Sequence, residues 1–105
     1  MGERSGEKLR RLHGELYNQL SHYRFNRRHR MDERYRRGRI AALEWLCRLS
    51  GHYLEEERRL PERLAAEVER QMRRIATLNP SPYRQGIEDA VRDFHQRFGK
   101  SPEGG

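Results

Sequence analysis

Hydrophobic side chains recur along this chain at steps of three and four residues, and the recurrence draws four apolar stripes. Leu9, Leu12, Leu16, Leu20 and Tyr23 form the first, which predicts an amphipathic helix of about five turns with one face toward a core. Met31, Tyr35, Gly38, Ala42, Leu46, Leu49 and Tyr53 form the second, with Asp32 as its N-cap. Gly51 either ends this helix or interrupts it, since the pattern resumes at Tyr53 and reaches Leu60 before Pro61. Leu64, Val68, Met72, Ile75 and Leu78 form the third stripe, which the turn Asn79-Pro80-Ser81-Pro82 stops. Ser81 there is the expected N-cap and Pro82 the first residue of the next helix. Tyr83, Ile87, Ala90, Val91, Phe94 and Phe98 form the last stripe, with Gly99 placed as a C′ glycine. The predicted fold is all-α: a small bundle of about four helices near 6–24, 31–59, 61–79 and 82–98. Residues 1–98 make one domain, and 99–105 are expected to be a disordered tail.

A shift of 48 residues superimposes Glu7 on Glu55, Arg10-Arg11-Leu12 on Arg58-Arg59-Leu60, Leu16 on Leu64, and Tyr35, Arg36, Gly38 and Ala42 on Tyr83, Arg84, Gly86 and Ala90. Two helical hairpins of similar plan would produce this echo; so would the shared composition of amphipathic Arg/Leu helices. Under either reading the pair of YRxGxxxA motifs is informative. Tyr, Gly and Ala at i, i+3 and i+7 share one helix face, and a glycine inside a helix costs about 1 kcal/mol relative to alanine. Two such glycines at matching positions predict a close helix crossing, Gly38 and Ala42 against Gly86 and Ala90.

Charge changes the picture next. Eight arginines between Tyr23 and Arg39 (Arg24, Arg27, Arg28, Arg30, Arg34, Arg36, Arg37 and Arg39) face only Asp32 and Glu33, a local balance of +6 within a chain of net charge +7. The rest of the sequence is nearly neutral, so the excess is a patch. Guanidinium groups pair bidentately with phosphate and stack on bases, and Tyr23, Phe25 and Tyr35 interleave aromatic faces among them. Such interleaving resembles arginine-rich segments that fold on RNA. The third helix reads differently: Glu55 with Arg59, Arg63 with Glu67 and Glu69 with Arg73 stand at i,i+4 and predict a self-compensated exposed face.

Composition sets the remaining bounds. With 33% hydrophobic and 37% charged residues in 105, the chain buries a modest core. Cys47 is the only cysteine; it excludes an internal disulfide, fits a reducing compartment, and its place in IAALEWLCRL marks it as a small buried hydrophobe. No apolar run reaches the roughly 18 residues of a membrane span, and MGERSGEKLRRL lacks the apolar region of a signal peptide, so a cytoplasmic location is expected. His52 with Glu55 or Glu56 has a ligand-like histidine spacing, too little for a metal site. Gly99-Lys100-Ser101 lacks the glycine a phosphate loop needs, since Phe94 stands there. No cofactor, metal or catalytic group is expected.

Two functions follow. The first is a small nucleic-acid-binding protein that contacts RNA or DNA phosphates through residues 23–39, with Arg24, Arg27, Arg28, Arg30, Arg34, Arg36, Arg37, Arg39, Tyr23 and Phe25 as contact residues. The second is a helical adaptor or inhibitor docking on an acidic protein surface. A second copy of the chain is a further admissible partner. The aromatics discriminate: exposed Tyr23, Phe25 and Tyr35 favour nucleic acid, whereas buried ones leave a generic positive patch.

Overall fold

Each apolar stripe becomes a helix. The computed structural model describes residues 5–25, 31–55 and 61–99, and these form α1 (Ser5–Phe25), α2 (Glu33–Glu55), α3 (Pro61–Ile75) and α4 (Pro82–Phe98), with no strand among the described residues. None of these helices is long and apolar enough to cross a membrane. Asp32 caps α2 as its sequence position predicts: its Oδ1 accepts the backbone N–H of Arg34 at 2.8 Å and of Tyr35 at 3.4 Å. Ser81, in extended conformation, caps α4 by accepting from the N–H of Arg84 at 3.0 Å, with Pro82 in the first turn.

The ends differ from expectation in three places. α2 runs unbroken through Gly51, where an added Cβ would come within 3.3 Å of the His13 ring; the reach to residue 59 lies outside the described residues. α3 stops at Ile75 rather than 79. The N–H of Thr77 bonds the carbonyl of Arg74 and that of Leu78 bonds Ile75, and the Thr77 hydroxyl also donates to Arg74 at 2.6 Å, so three-residue bonds tighten the last turn and end it. Gly99 closes α4 through its N–H to His95 at 2.9 Å, with φ 116° and ψ 165°. That combination belongs to glycine almost alone, but its extended ψ is not the left-handed cap expected. The predicted tail beyond Gly99 lies outside the described residues.

Leu9, Leu12, Leu16 and Leu20 of α1, Leu43 and Leu46 of α2, Leu64 and Val68 of α3, and Val91 and Phe94 of α4 meet in one core. Cys47 lies in it, and burial pushes its thiol above the ordinary value, as suits a hydrophobe rather than a nucleophile. Ser50 is the single polar residue among those buried, fully enclosed, its hydroxyl 2.6 Å from His13 Nδ1 and donating to the carbonyl of Cys47 at 3.3 Å. A second polar link joins α3 to α4, where His95 Nε2 meets Glu69 Oε2 at 2.9 Å. Two of the three i,i+4 pairs predicted for the third helix are not formed among the described residues, and the third, Glu55 with Arg59, lies partly outside them. Glu69 turns to His95 instead of Arg73, Arg63 and Glu67 make no ion pair among the described residues, and Arg59 lies outside them.

The broadest interface is α2 against α4, and it closes on the two glycines. A Cβ placed on Gly38 would overlap the carbonyl oxygen of Tyr83 and come within 3.1 Å of the Ile87 nitrogen; one placed on Gly86 would overlap the carbonyl oxygen of Tyr35 and come within 2.8 Å of the Arg39 nitrogen. The contact is reciprocal, and its two halves obey the same 48-residue offset. Ala42 and Ala90 are buried beside it.

Gly38→Ala and Gly86→Ala should each destabilise the fold by about 1–3 kcal/mol or more, because the added methyl meets main chain that cannot rotate away. At exposed Gly14 an added methyl would meet nothing within 4 Å, and the response should be opposite: Gly14→Ala gains up to about 1 kcal/mol of helix propensity. Urea unfolding of the three variants checks both signs, and an unchanged midpoint for the Gly38 and Gly86 variants would refute the backbone contact.

Candidate functional site

α1 must release its last four carbonyls before the chain turns into α2, and the arginine-rich stretch supplies partners for two of them. Arg36 Nε donates to the carbonyl of Tyr23 at 2.6 Å and Nη2 to that of Arg24 at 2.9 Å, while Nη1 pairs with Glu33 at 3.0 Å. Its side chain is only 18% exposed. A guanidinium fork is pre-organised for such divergent acceptors, which an ammonium group cannot match.

Arg39 is drawn inward as well. Its guanidinium carbon lies 4.9 Å from the Tyr23 ring centroid and 5.8 Å from that of Tyr35, a cation between two aromatic faces. Nη1 donates to the Tyr35 hydroxyl at 2.9 Å, and that hydroxyl donates to Asp89 Oδ2 at 2.6 Å. Nε is buried with no oxygen partner; the tyrosine faces are what surrounds the guanidinium. Partial burial works against the ionised form of Asp89. The Tyr35 hydroxyl, the Gln85 amide at 2.8 Å and the nearby Arg39 and Arg92 outweigh it and hold the carboxyl below its usual range. Burial, together with the bond to Asp89, pushes the Tyr35 phenol up.

The other predicted contact residues stay outside. Arg34 and Arg37 are 69% and 71% exposed, held loosely by Asp32 at 3.4 Å and Glu33 at 3.7 Å, and the two backbone N–H bonds that Asp32 accepts, with Arg34 beside it, lower its carboxyl. Arg24 is half-exposed and pairs with Glu44 at 2.7 Å. Phe25, at the end of α1, is 80% exposed. Arg27, Arg28 and Arg30 lie outside the described residues. Thus the stretch divides: Arg36, Arg39, Tyr23 and Tyr35 build the fold, whereas Arg34, Arg37 and Phe25 face solvent. Of the three aromatics singled out as stacking platforms, only Phe25 is free for that role.

A polar cleft of about 650 Å3 opens between α1 and α4, over Arg39. Its cations are answered from within: Arg97 pairs with Glu15 at 3.0 Å and Asp93 at 3.3 Å, and Arg92 approaches Asp89 and Glu88. Among the described residues no three His, Cys, Asp or Glu side chains gather as a metal site. Comparison with protein-family models, curated proteins and solved structures finds no match. The partners that residue spacing could not reveal were Asp89 for Tyr35, 54 residues away, and the α1 carbonyls for Arg36, since neither is an i,i+4 relation.

Arg36→Ala should cost about 1–3 kcal/mol by leaving α1 carbonyls unpaired, and Arg36→Lys should recover only part of this. Arg34→Ala and Arg37→Ala should stay within about 0.5 kcal/mol of the parent. Thermal melts of the four variants measure this. Tyr35→Phe should lose about 1–2 kcal/mol at neutral pH by removing a bond to a carboxylate. Because the folded-state carboxyl of Asp89 is lowered, its stabilisation is present above the ordinary carboxylate value and is lost as pH falls through the lowered one. The gap between parent and Tyr35→Phe should therefore narrow toward acid, and a gap independent of pH would remove Asp89 from the account.

Proposed function

We propose that this protein binds nucleic acid through the phosphate backbone, using the arginine-rich stretch 23–39 as its contact segment. The observation that supports the reading is the division within one basic stretch. The fold consumes Arg36 and Arg39, yet Arg34, Arg37 and Phe25 project beside a segment that carries Arg27, Arg28 and Arg30 in its sequence. Exposed guanidiniums in excess of local carboxylates release counterions when they meet phosphate, which gives affinity without sequence reading. With Tyr23 and Tyr35 held beneath Arg39, base recognition is restricted to what Phe25 stacks upon. RNA and DNA offer the same backbone charge. Catalysis has no part in this reading.

Titration against labelled RNA, single-stranded DNA and duplex DNA at several salt concentrations tests it. Each phosphate contact contributes about −0.9 to the log-log salt slope on duplex and about −0.7 on single strands. Replacing Arg27, Arg28 and Arg30 by Ala should flatten the slope by about two to three units, and the Arg34/Arg37 double variant by somewhat less, both with unchanged helical circular dichroism. Absence of binding at low salt would reject the reading and favour an acidic protein as partner.

A further inference from the structure

The end of α3 carries cations that the bundle does not use. Arg70, Arg73 and Arg74 are exposed, and no ion pair engages them among the described residues. The nearest carboxylate in sequence, Glu69, is turned away to His95 at 2.9 Å. Cations in a last helical turn gain from the helix dipole, which explains why α3 tolerates them there but leaves their guanidinium donors open.

Their position is fixed by a chain of contacts that leads back to the first patch. The N–H of Leu78 bonds the carbonyl of Ile75, and Arg84 Nη1 donates to the carbonyl of Leu78 at 2.6 Å, so the α3–α4 turn is tied to the first turn of α4. The main chain of Tyr83 in that turn lies against Gly38. Arg37 precedes Gly38 directly, and Arg34 stands one turn before it. From the crossing, α2 begins five residues back and α4 four residues back, roughly 8 Å and 6 Å along the helix axes. The start of α2 and the turn that follows α3 are thus both linked to that crossing. Leu78 in that turn and Tyr83 at the start of α4 are half-exposed, and Glu88 in the next turn of α4 is already held by Arg84 at 2.7 Å.

We infer that Arg70, Arg73 and Arg74 form a second phosphate-contact cluster, and that a bound nucleic-acid strand runs from Arg34 and Arg37 in the first turns of α2 across the α2–α4 crossing to the end of α3. This rests on the nucleic-acid reading above and extends its site to a helix whose charges the sequence presents as balanced. The strand passes Tyr83, whose ring offers a face for one base.

Salt-dependent titration of a single-stranded oligonucleotide tests the extension with four proteins: the parent, Arg34→Ala/Arg37→Ala, Arg70→Ala/Arg73→Ala/Arg74→Ala, and all five together. Arg10→Ala/Arg48→Ala, removing exposed cations elsewhere on α1 and α2, serves as the control for diffuse attraction. The triple variant should flatten the slope by about two units; the five-fold variant should show the sum of both losses, and the control should leave the slope near the parent's. A triple Arg→Lys variant should keep most of the slope, since an ammonium group also neutralises a phosphate, and helical content should be unchanged throughout. If the triple Ala variant matches the parent while Arg34/Arg37 flattens the slope, the second cluster is wrong and the first site stands. Equal loss per charge in the control would likewise overturn the second cluster by showing attraction without a site. A parent that binds no oligonucleotide rejects the nucleic-acid reading itself.

Discussion

Helices α2 and α4 meet backbone to backbone at Gly38 and Gly86, and the placement of everything else on these two helices depends on it. Two bare helix faces let Tyr83 and Tyr35 lay their carbonyls where side chains would normally stand. That approach brings Tyr35 within reach of Asp89 and leaves room for Arg39 between the tyrosine rings. It also draws the beginnings of α2 and α4 together. The helix-propensity cost of each glycine, about 1 kcal/mol, is offset by the packing it permits.

Arginine serves this chain in two ways, and local partners decide which. Where carbonyls and aromatic rings converge, as around Arg36 and Arg39, the flat guanidinium fills a structural role that no other side chain performs with the same number of donors. Where only a nearby carboxylate at the water boundary is on offer, as for Arg34 and Arg37, the pairing is long and weak. Such cations give up a loose partner at little cost. Formal charge therefore overstates what the surface displays in the first stretch, and understates it at the end of α3, where Glu69 is diverted.

The helices were legible because their stripes, caps and proline punctuation act locally: Asp32, Ser81 and Pro82 do what their positions imply. The glycine crossing was legible too, since the helix propensity lost at two matching glycines is recovered only where another backbone packs against them. What the sequence did not show is governed by contacts between distant segments. Tyr35 to Asp89 and His95 to Glu69 follow from how helices rotate against each other, and the second of these removes the i,i+4 partner that made Arg73 look neutralised. The early stop of α3 turned on the Thr77 hydroxyl, whose choice between solvent and the Arg74 carbonyl leaves no mark on hydrophobic periodicity. The candidate site was accordingly visible as an excess of charge, but which arginines belonged to it was not.

The leucine ladder of α1 raises a question of registry that hydrophobicity alone does not answer. Leu9, Leu12, Leu16 and Leu20 repeat nearly once per turn, so sliding α1 by one turn along its groove would exchange one leucine for the next with small loss of burial. The enclosed Ser50 hydroxyl distinguishes these alternatives, because only one alignment brings His13 to within 2.6 Å of it. Any other leaves the hydroxyl with its weak 3.3 Å bond to Cys47 alone. A single polar pair in an otherwise greasy seam thus acts as an index mark, and it fixes where the end of α1, with Phe25 on it, comes to lie.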